Sequence, residues 1–158
     1  MRIVAALWAM FACGKAPEVI VVDGELGESA WHHAERHVFE ADGERARPFS
    51  EVRLFHDATT QYVGLYAADE NIQSSDFFDV KIGAFAFHIN PTAEVTPAVP
   101  GLRAAVDLDG SLDDNSNDDE EWVLEIAMPR TSGAMQFSRC DTPKDNIARC
   151  ASWSGTSP

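Results

Sequence analysis

The sequence predicts an all-β fold, an antiparallel β-sandwich with one short N-terminal helix. Its length of 158 residues suits a single domain with a sizeable core. Most of the chain reads as short segments in which apolar and polar residues alternate, as they do in half-buried strands. Turn-forming residues separate these segments at regular intervals, which is typical of sandwiches and barrels.

The N-terminal residues 1–12, MRIVAALWAMFA, have the composition of a signal segment. Arg2 supplies a positive charge, and the apolar run that follows is too short to cross a bilayer as a stable helix. The stretch MFACGK resembles the lipobox of bacterial lipoproteins, in which the cysteine, here Cys13, is acylated. We expect lipidation at Cys13, with an ordinary secretory signal as the alternative.

This interpretation predicts an exported protein of the bacterial cell envelope. A lipid anchor alone would attach it at the outer membrane or the surface. Residues 13–18 would form a tether and residues 19–158 the sandwich domain. Export also favours a disulfide between Cys140 and Cys150, the two remaining cysteines, over two free thiols. Closing a loop of about eleven residues would stabilise the fold by roughly 3 kcal/mol.

The formal net charge of -14 makes nucleic acid an unsuitable partner, because phosphate binding requires a basic face. The negative charge serves solubility, or else an affinity for cations or neutral polar ligands.

The patterns predict one helix at 28–36, a loop at 41–49, and strands at 19–22, 52–56, 61–67, 79–90, 102–108, 122–128, 134–140 and 148–153. The first strand ends at Asp23-Gly24, a turn dipeptide. In the helix, Ala30 and Ala34 are four residues apart and share a side with Trp31. Glycine and proline mark the loop.

The strands at 52–56 and 61–67 flank the turn sequence DATT and therefore predict a hairpin. The strand at 79–90 places Phe85, Phe87 and Ile89 on one face, and Asn90-Pro91 ends it. Alternation likewise predicts the strand at 122–128, which Pro129 ends.

Five segments occur in an order that resembles family 9 carbohydrate-binding modules and the related DOMON-like sandwiches: VDGELGESAW, VRLFHDATTQYVGLYAADENI, HINPTAEV, NDDEEWVLEIAMP and RCDTPKDNIARCASWS. The resemblance covers residues 20–154. It implies a β-sandwich that binds carbohydrate or polysaccharide without catalysis, and some members of the group bind calcium. It also suggests that Trp31 plugs one end of the sandwich.

The chain departs from that group where DVKI runs almost directly into GAFAFHIN. Relatives have a loop between the two strands at this point. We therefore expect a missing strand or hairpin loop, which would affect the completeness of one sheet.

Sugar sites combine an aromatic platform with polar groups that bind hydroxyls. Trp153 lies in the polar stretch ASWSGTSP and is the candidate platform, whereas Trp31 and Trp122 have the apolar neighbours of core residues. Tyr62 and Tyr66 share a strand face on either side of a glycine, which leaves space above the sheet. They face a ligand or simply pack.

Glu125 lies in the middle of a strand, and a carboxylate on a half-buried face needs a partner. Arg139, on a later strand, is the candidate. Together they would bind sugar hydroxyls, or form a structural ion pair with no ligand.

The densest acidic run, residues 107–120, offers oxygen-bearing side chains at the spacing of a calcium loop. The six positions are Asp109, Ser111, Asp113, Asn115, Asn117 and Glu120. Asp114 stands where a glycine is required, and strands flank the loop, so the run is not an EF-hand. A looser calcium site at Asp109, Asp113 and Glu120 is the alternative to a solvated loop; the sequence makes no cofactor certain.

Two further functions remain open. A haem-binding or redox-carrier DOMON-like domain would use His88 with Met128 or Met135 as axial ligands, and a structural envelope domain would bind no small ligand. The pair His33 and His37 has a helical spacing that suits zinc, but a solvated helix face is favoured. The sequence has no defensible catalytic motif, so we expect a protein that is not an enzyme.

Overall fold

A computed structural model describes residues 19–114, 116, 118–141 and 149–156. It contains one 3₁₀ helix, Ser29–His33, and twelve strands. The strands are β1 (Glu35–Val38), β2 (Glu40–Ala41), β3 (Glu44–Arg45), β4 (Ser50–His56), β5 (Thr60–Ala68), β6 (Phe77–Ile82), β7 (Phe85–Ile89), β8 (Val95–Thr96), β9 (Arg103–Asp109), β10 (Glu121–Pro129), β11 (Ala134–Asp141) and β12 (Arg149–Thr156).

Two antiparallel sheets form the predicted sandwich. The five-stranded sheet has the order β1-β4-β5-β10-β9, and the seven-stranded sheet has the order β3-β2-β12-β11-β6-β7-β8. The inner faces meet in one apolar core, in which the ring of Trp122 lies 4.9 Å from that of Phe78. The prediction of an all-β sandwich, and of Trp122 in its core, is confirmed.

Residues 19–34 cover the outer face of the five-stranded sheet. Ile20, Ala30 and Trp31 are buried there, and a Cβ added at Gly64, in the middle of β5, would lie 2.6 Å from a methyl group of Leu26. The predicted strand at 19–22 is wrong, because this segment pairs with none of the described strands. Trp31 also does not plug an end of the sandwich; it lies over the middle of the sheet.

The N-terminal helix is shorter than predicted. It ends at His33, and Ala34 is already extended with φ -67° and ψ 145°. From Glu35 the chain pairs with β4 as the edge strand β1, so the backbone that would continue the helix makes sheet hydrogen bonds instead.

Two hairpins replace a predicted loop and a predicted single strand. Strands β2 and β3 meet at Asp42 and Gly43, whose φ values of 54° and 80° suit a tight two-residue turn. Strands β6 and β7 meet at the turn of Gly83 and Ala84, where Gly83 has φ 57°. The expected loss of a strand is therefore wrong, because β6 and β7 are both present; a two-residue turn joins them in place of a longer loop.

The predicted disulfide is present: Cys140 and Cys150 face each other across β11 and β12. No helix within the described residues has the length and apolarity needed to cross a membrane.

Candidate functional site

One end of the sandwich carries two adjoining cavities of about 280 and 420 Å³. Here β5 and β11 end, while β4, β10 and β12 begin. Four residues line both cavities: Arg47, Pro48, Asp141 and Arg149. The two cavities together have a size in the range of small-molecule sites. We refer to the two cavities together as the end pocket.

Arg139 forms the floor of the end pocket. It lies on the inner face of β11, and only 2% of its surface is exposed. Its Nη1 donates to Ser50 Oγ at 3.1 Å and to the carbonyl of Ala68 at 2.6 Å, and its Nη2 donates to carboxylate oxygens of Asp69 at 2.9 Å and Asp141 at 3.0 Å. The buried Nε has no hydrogen-bond partner in the part of the chain that the structure describes. The guanidinium is thus anchored to both sheets and retains one unused donor.

Three buried aspartates surround this arginine. Carboxylate oxygens of Asp69, Asp76 and Asp141 lie within 4.8 Å of one another. Burial raises the pKa of Asp141 to about 7; Arg139 lowers it, and the charges of Asp69 and Asp76 raise it further. The carboxyl of Asp141 therefore holds its proton up to about neutral pH.

The sequence builds this cluster from the ends of strands. Asp69 follows β5, Asp76 precedes β6 and Asp141 ends β11. Because neighbouring strands of antiparallel sheets bring such ends to one edge, acidic residues at strand ends were a usable signal. Of these residues, only Arg139 was predicted from the sequence as a site residue; the three aspartates, Arg47 and Arg149 were not.

The mouth of the larger cavity is acidic. Glu70 and Glu120 are exposed and line it. Asp119 also lines it, but its carboxylate accepts the backbone N–H groups of Ile72 and Ser111 at 2.9 and 2.8 Å, so it holds loops together. Glu70 and Glu120 are therefore the carboxylates at the mouth that a ligand can reach.

Trp153 shares the inner face of the seven-stranded sheet with Arg139. It pairs with Phe137 across β11 and β12, next to the pair of Arg139 and Ala151. Its ring is half-buried and stacked on His37 of β1, with centroids 4.0 Å apart and planes at 19°. It closes the open edge between the sheets and does not line the end pocket. Its role as a sugar platform stays a prediction.

Glu125 lies on the other side of the five-stranded sheet, beneath the N-terminal cover. Its carboxylate accepts hydrogen bonds from the backbone of Asp23 at 2.9 Å and Gly24 at 3.0 Å, and from Trp31 Nε1 at 2.7 Å. Burial raises its pKa to about 7 against these bonds, and the charge of Glu28 adds to the increase. The suggested ion pair between Glu125 and Arg139 is wrong, because each binds other partners on different faces.

Tyr62 and Tyr66 flank the same N-terminal cover. The space expected between them is filled, because Leu26 and Trp31 pack over Gly64. The Tyr66 hydroxyl donates to Glu121, and burial followed by that bond raises its pKa to about 12. The predicted ligand-binding residues therefore lie in two separate places. The tyrosines and Glu125 are on the outer face of the five-stranded sheet, whereas Arg139 and Trp153 lie between the two sheets.

The residues suggested for calcium do not form a cluster in the described part of the chain. The two groups of close acidic oxygens there are Asp23, Glu28 and Glu125, and Asp69, Asp76 and Asp141. Asp113 already has a protein partner, because its Oδ1 accepts hydrogen bonds from the N–H and the hydroxyl of Ser74. Two of the six spaced positions, 115 and 117, lie outside the described residues. Calcium binding at Asp109, Asp113 and Glu120 stays a prediction.

The suggested haem ligands are on opposite sides of a sheet. Met128 and Met135 are buried in the core, whereas His88 is exposed on the outer face and pairs with Asp79. They cannot ligate one ion without refolding, so this ligand set is wrong. His33 and His37 lose their helical spacing because the helix ends at His33.

The fold is shared with solved structures. A family 9 carbohydrate-binding module from Caldicellulosiruptor kristjanssonii in complex with cellotriose is similar with a TM-score of 0.61 and 13% identity, over 86% of this chain and 79% of that one. A family 9 module from the same organism in complex with glucose is similar with a TM-score of 0.55 and 15% identity, over 85% and 81%. No family model and no curated protein matches the chain. The predicted resemblance to this fold is confirmed.

Proposed function

We propose that this domain binds carbohydrate without turning it over, and that the end pocket is its binding site. The observation that carries the proposal is the convergence of guanidinium and carboxylate groups around a cavity, over an arginine with an unused buried donor. The similar modules are complexes with cellotriose and glucose, which supports a sugar as the ligand.

The polar groups of the pocket suit sugar hydroxyls. A hydroxyl donates and accepts at once, so adjacent carboxylate and guanidinium groups satisfy both of its functions. Arg139 has four hydrogen-bond partners, Ser50, the carbonyl of Ala68, Asp69 and Asp141, which hold its guanidinium in place and so limit the entropy lost on binding. Pro48, Ala68 and Ala151 supply apolar surface in the cavity walls.

Isothermal titration against a panel of mono- and oligosaccharides tests the proposal. Arg47 is exposed and lines both cavities, so Arg47→Gln removes a pocket charge without disturbing the core. We expect the affinity of any sugar that binds to fall by about tenfold, the loss of one charged hydrogen bond.

Arg103→Gln is the matched control, because Arg103 is exposed and lies at a different cavity. No heat with any sugar, or equal losses in the two variants, would overturn the assignment.

Binding without catalysis is supported by the arrangement of the acidic groups. Arg139 Nη2 donates to both Asp69 and Asp141, so these carboxyls are tied together at the floor. A glycosidase requires its two carboxyls on either side of the scissile bond. We expect intact oligosaccharide after prolonged incubation; released fragments would contradict a pure binding role.

Export and lipid anchoring remain part of the proposal. They are supported by the signal-like residues 1–12 and the lipobox-like MFACGK. The disulfide of Cys140 and Cys150 fits an oxidising compartment. Incorporation of labelled fatty acid into the expressed protein, lost in Cys13→Ala, is the expected result. Unchanged labelling would remove Cys13 as the anchor.

A further inference from the structure

The lining of the larger cavity has an unbalanced charge. It includes five carboxylic residues: Asp69, Glu70, Asp119, Glu120 and Asp141. Within the described residues, two guanidinium groups accompany them, those of Arg47 and Arg149. The arginine beneath them offsets part of the excess.

Aromatic stacking does not contribute inside the pocket. None of the side chains that line the two cavities is aromatic in the part of the chain that the structure describes. The connecting residues 142–148, TPKDNIA, contain no aromatic residue either. A sugar bound here lacks the platform that usually holds its apolar face. Polar and charged contacts must then supply most of the affinity.

The floor and the mouth of the end pocket favour different chemical groups on a ligand. At the floor, Arg139 is 2% exposed and lines the smaller cavity, and its Nε is a donor without an acceptor among the described residues. At the mouth the exposed carboxylates of Glu70 and Glu120 are acceptors that favour a cation. A ligand that fits both has acceptor oxygens at one side and a positive group at the other.

Resting on the proposed function, we infer that the end pocket selects sugars that carry a protonated amine. A 2-amino sugar combines hydroxyl oxygens for the guanidinium with an ammonium group for the two glutamates. Neutral sugars of the same size offer the first contact but not the second. N-acetylation removes the charge and adds bulk, so it abolishes the advantage.

Isothermal titration with three trimers of equal length, those of glucosamine, N-acetylglucosamine and glucose, tests the inference. Slightly below neutral pH and at low salt, we expect the glucosamine trimer to bind about tenfold more tightly than either other trimer. About 0.5 M salt should reduce that preference, because the mouth is open to solvent. Spermidine serves as a cation without a sugar ring and should bind more weakly than the glucosamine trimer.

The double variant Glu70→Gln/Glu120→Gln should lose the tenfold preference, because its affinity for the glucosamine trimer falls by more than its affinity for the glucose trimer. The control Glu25→Gln/Glu94→Gln removes two exposed acids that do not line the pocket and should keep the preference. Both variants keep the core, so their thermal midpoints should match that of the wild type.

The outcomes separate this inference from the proposed function. Equal or tighter binding of the glucose trimer by the wild type overturns the amine preference and leaves sugar binding intact. Spermidine binding as tight as the glucosamine trimer also overturns it, since the ring would then contribute nothing. If no trimer binds at millimolar concentration, the sugar-binding proposal and this inference both fail.

Discussion

Two buried carboxyl groups in this protein look alike and serve different regions. Glu125, under the N-terminal cover, and Asp141, at the end pocket, both have a pKa raised to about 7, mainly by burial. Protein donors bind both oxygens of Glu125, and Leu26 and Trp31 fill the space above the sheet. Asp141 lines two cavities, next to an arginine with an unused donor.

The difference teaches that burial and a perturbed pKa do not by themselves indicate a binding site. A raised pKa reports desolvation, which occurs equally in a closed structural contact and at the floor of a pocket. Accessible space beside an unpaired polar atom separates the two cases. Substitutions in the two regions therefore distinguish a structural cover from a functional pocket.

The largest expected effect is at the pocket floor. Arg139→Met leaves Asp69 and Asp141 without their buried cation, so the free energy of unfolding should fall by about 3–5 kcal/mol in urea denaturation. Arg36→Met is the control, since Arg36 is 56% exposed and its bridge to Glu51 contributes less than about 1 kcal/mol. Similar losses in both variants would contradict a tightly coupled floor.

Removal of the disulfide should come next. Cys140→Ser/Cys150→Ser should lower the free energy of unfolding by about 3 kcal/mol, because the unfolded chain loses a constraint. The adjacent cross-strand pair of Asp141 and Arg149 lines the pocket, so sugar affinity should fall too. If the variant is less stable but binds sugar with unchanged affinity, the disulfide does not support the binding site.

The pH dependence of stability tests the cover. The pKa of Glu125 is about 7 in the folded protein and near 4.5 in a free side chain, so between these values the folded state holds the proton more tightly. Its contribution is complete below about pH 4.5 and is lost as the pH rises through 7, on the order of 2 kcal/mol.

Asp141 changes in the same direction and adds to the slope. Denaturation from pH 5 to 8 should therefore show falling stability, with a smaller slope in Glu125→Gln. An equal slope in that variant would show that Glu125 does not titrate in this range.

The smallest expected effect concerns the tyrosines beside the cover. Tyr66→Phe removes the hydrogen bond to Glu121 and should cost about 1 kcal/mol of unfolding free energy. Sugar affinity should not change, in contrast to Arg47→Gln. A tenfold loss of affinity in Tyr66→Phe would move the binding site to the outer face of the five-stranded sheet.

Period-two patterning alone determined most of the sandwich. It predicted the hairpin of β4 and β5, the strands β9 to β12 and the buried position of Trp122, because alternating side chains must place one face in a core. The pattern did not separate β6 from β7, because the turn between them, Gly83 and Ala84, contains no polar residue that would mark the end of a strand. A change in the alternation was the available signal. The inward-facing residues have even numbers in β6, at Val80 and Ile82, and odd numbers in β7, at Phe85 and Phe87.

Only the tertiary structure decided which charged residues form the site. Glu125 and Arg139 are each a charged residue within an alternating strand, and nothing local distinguishes them. The first faces outward and is covered by residues 19–34; the second faces inward at the end where distant strand ends meet. Periodicity determines which residues share a face. Which segment covers that face, and which strand ends gather beside it, depends on contacts between residues far apart in the chain.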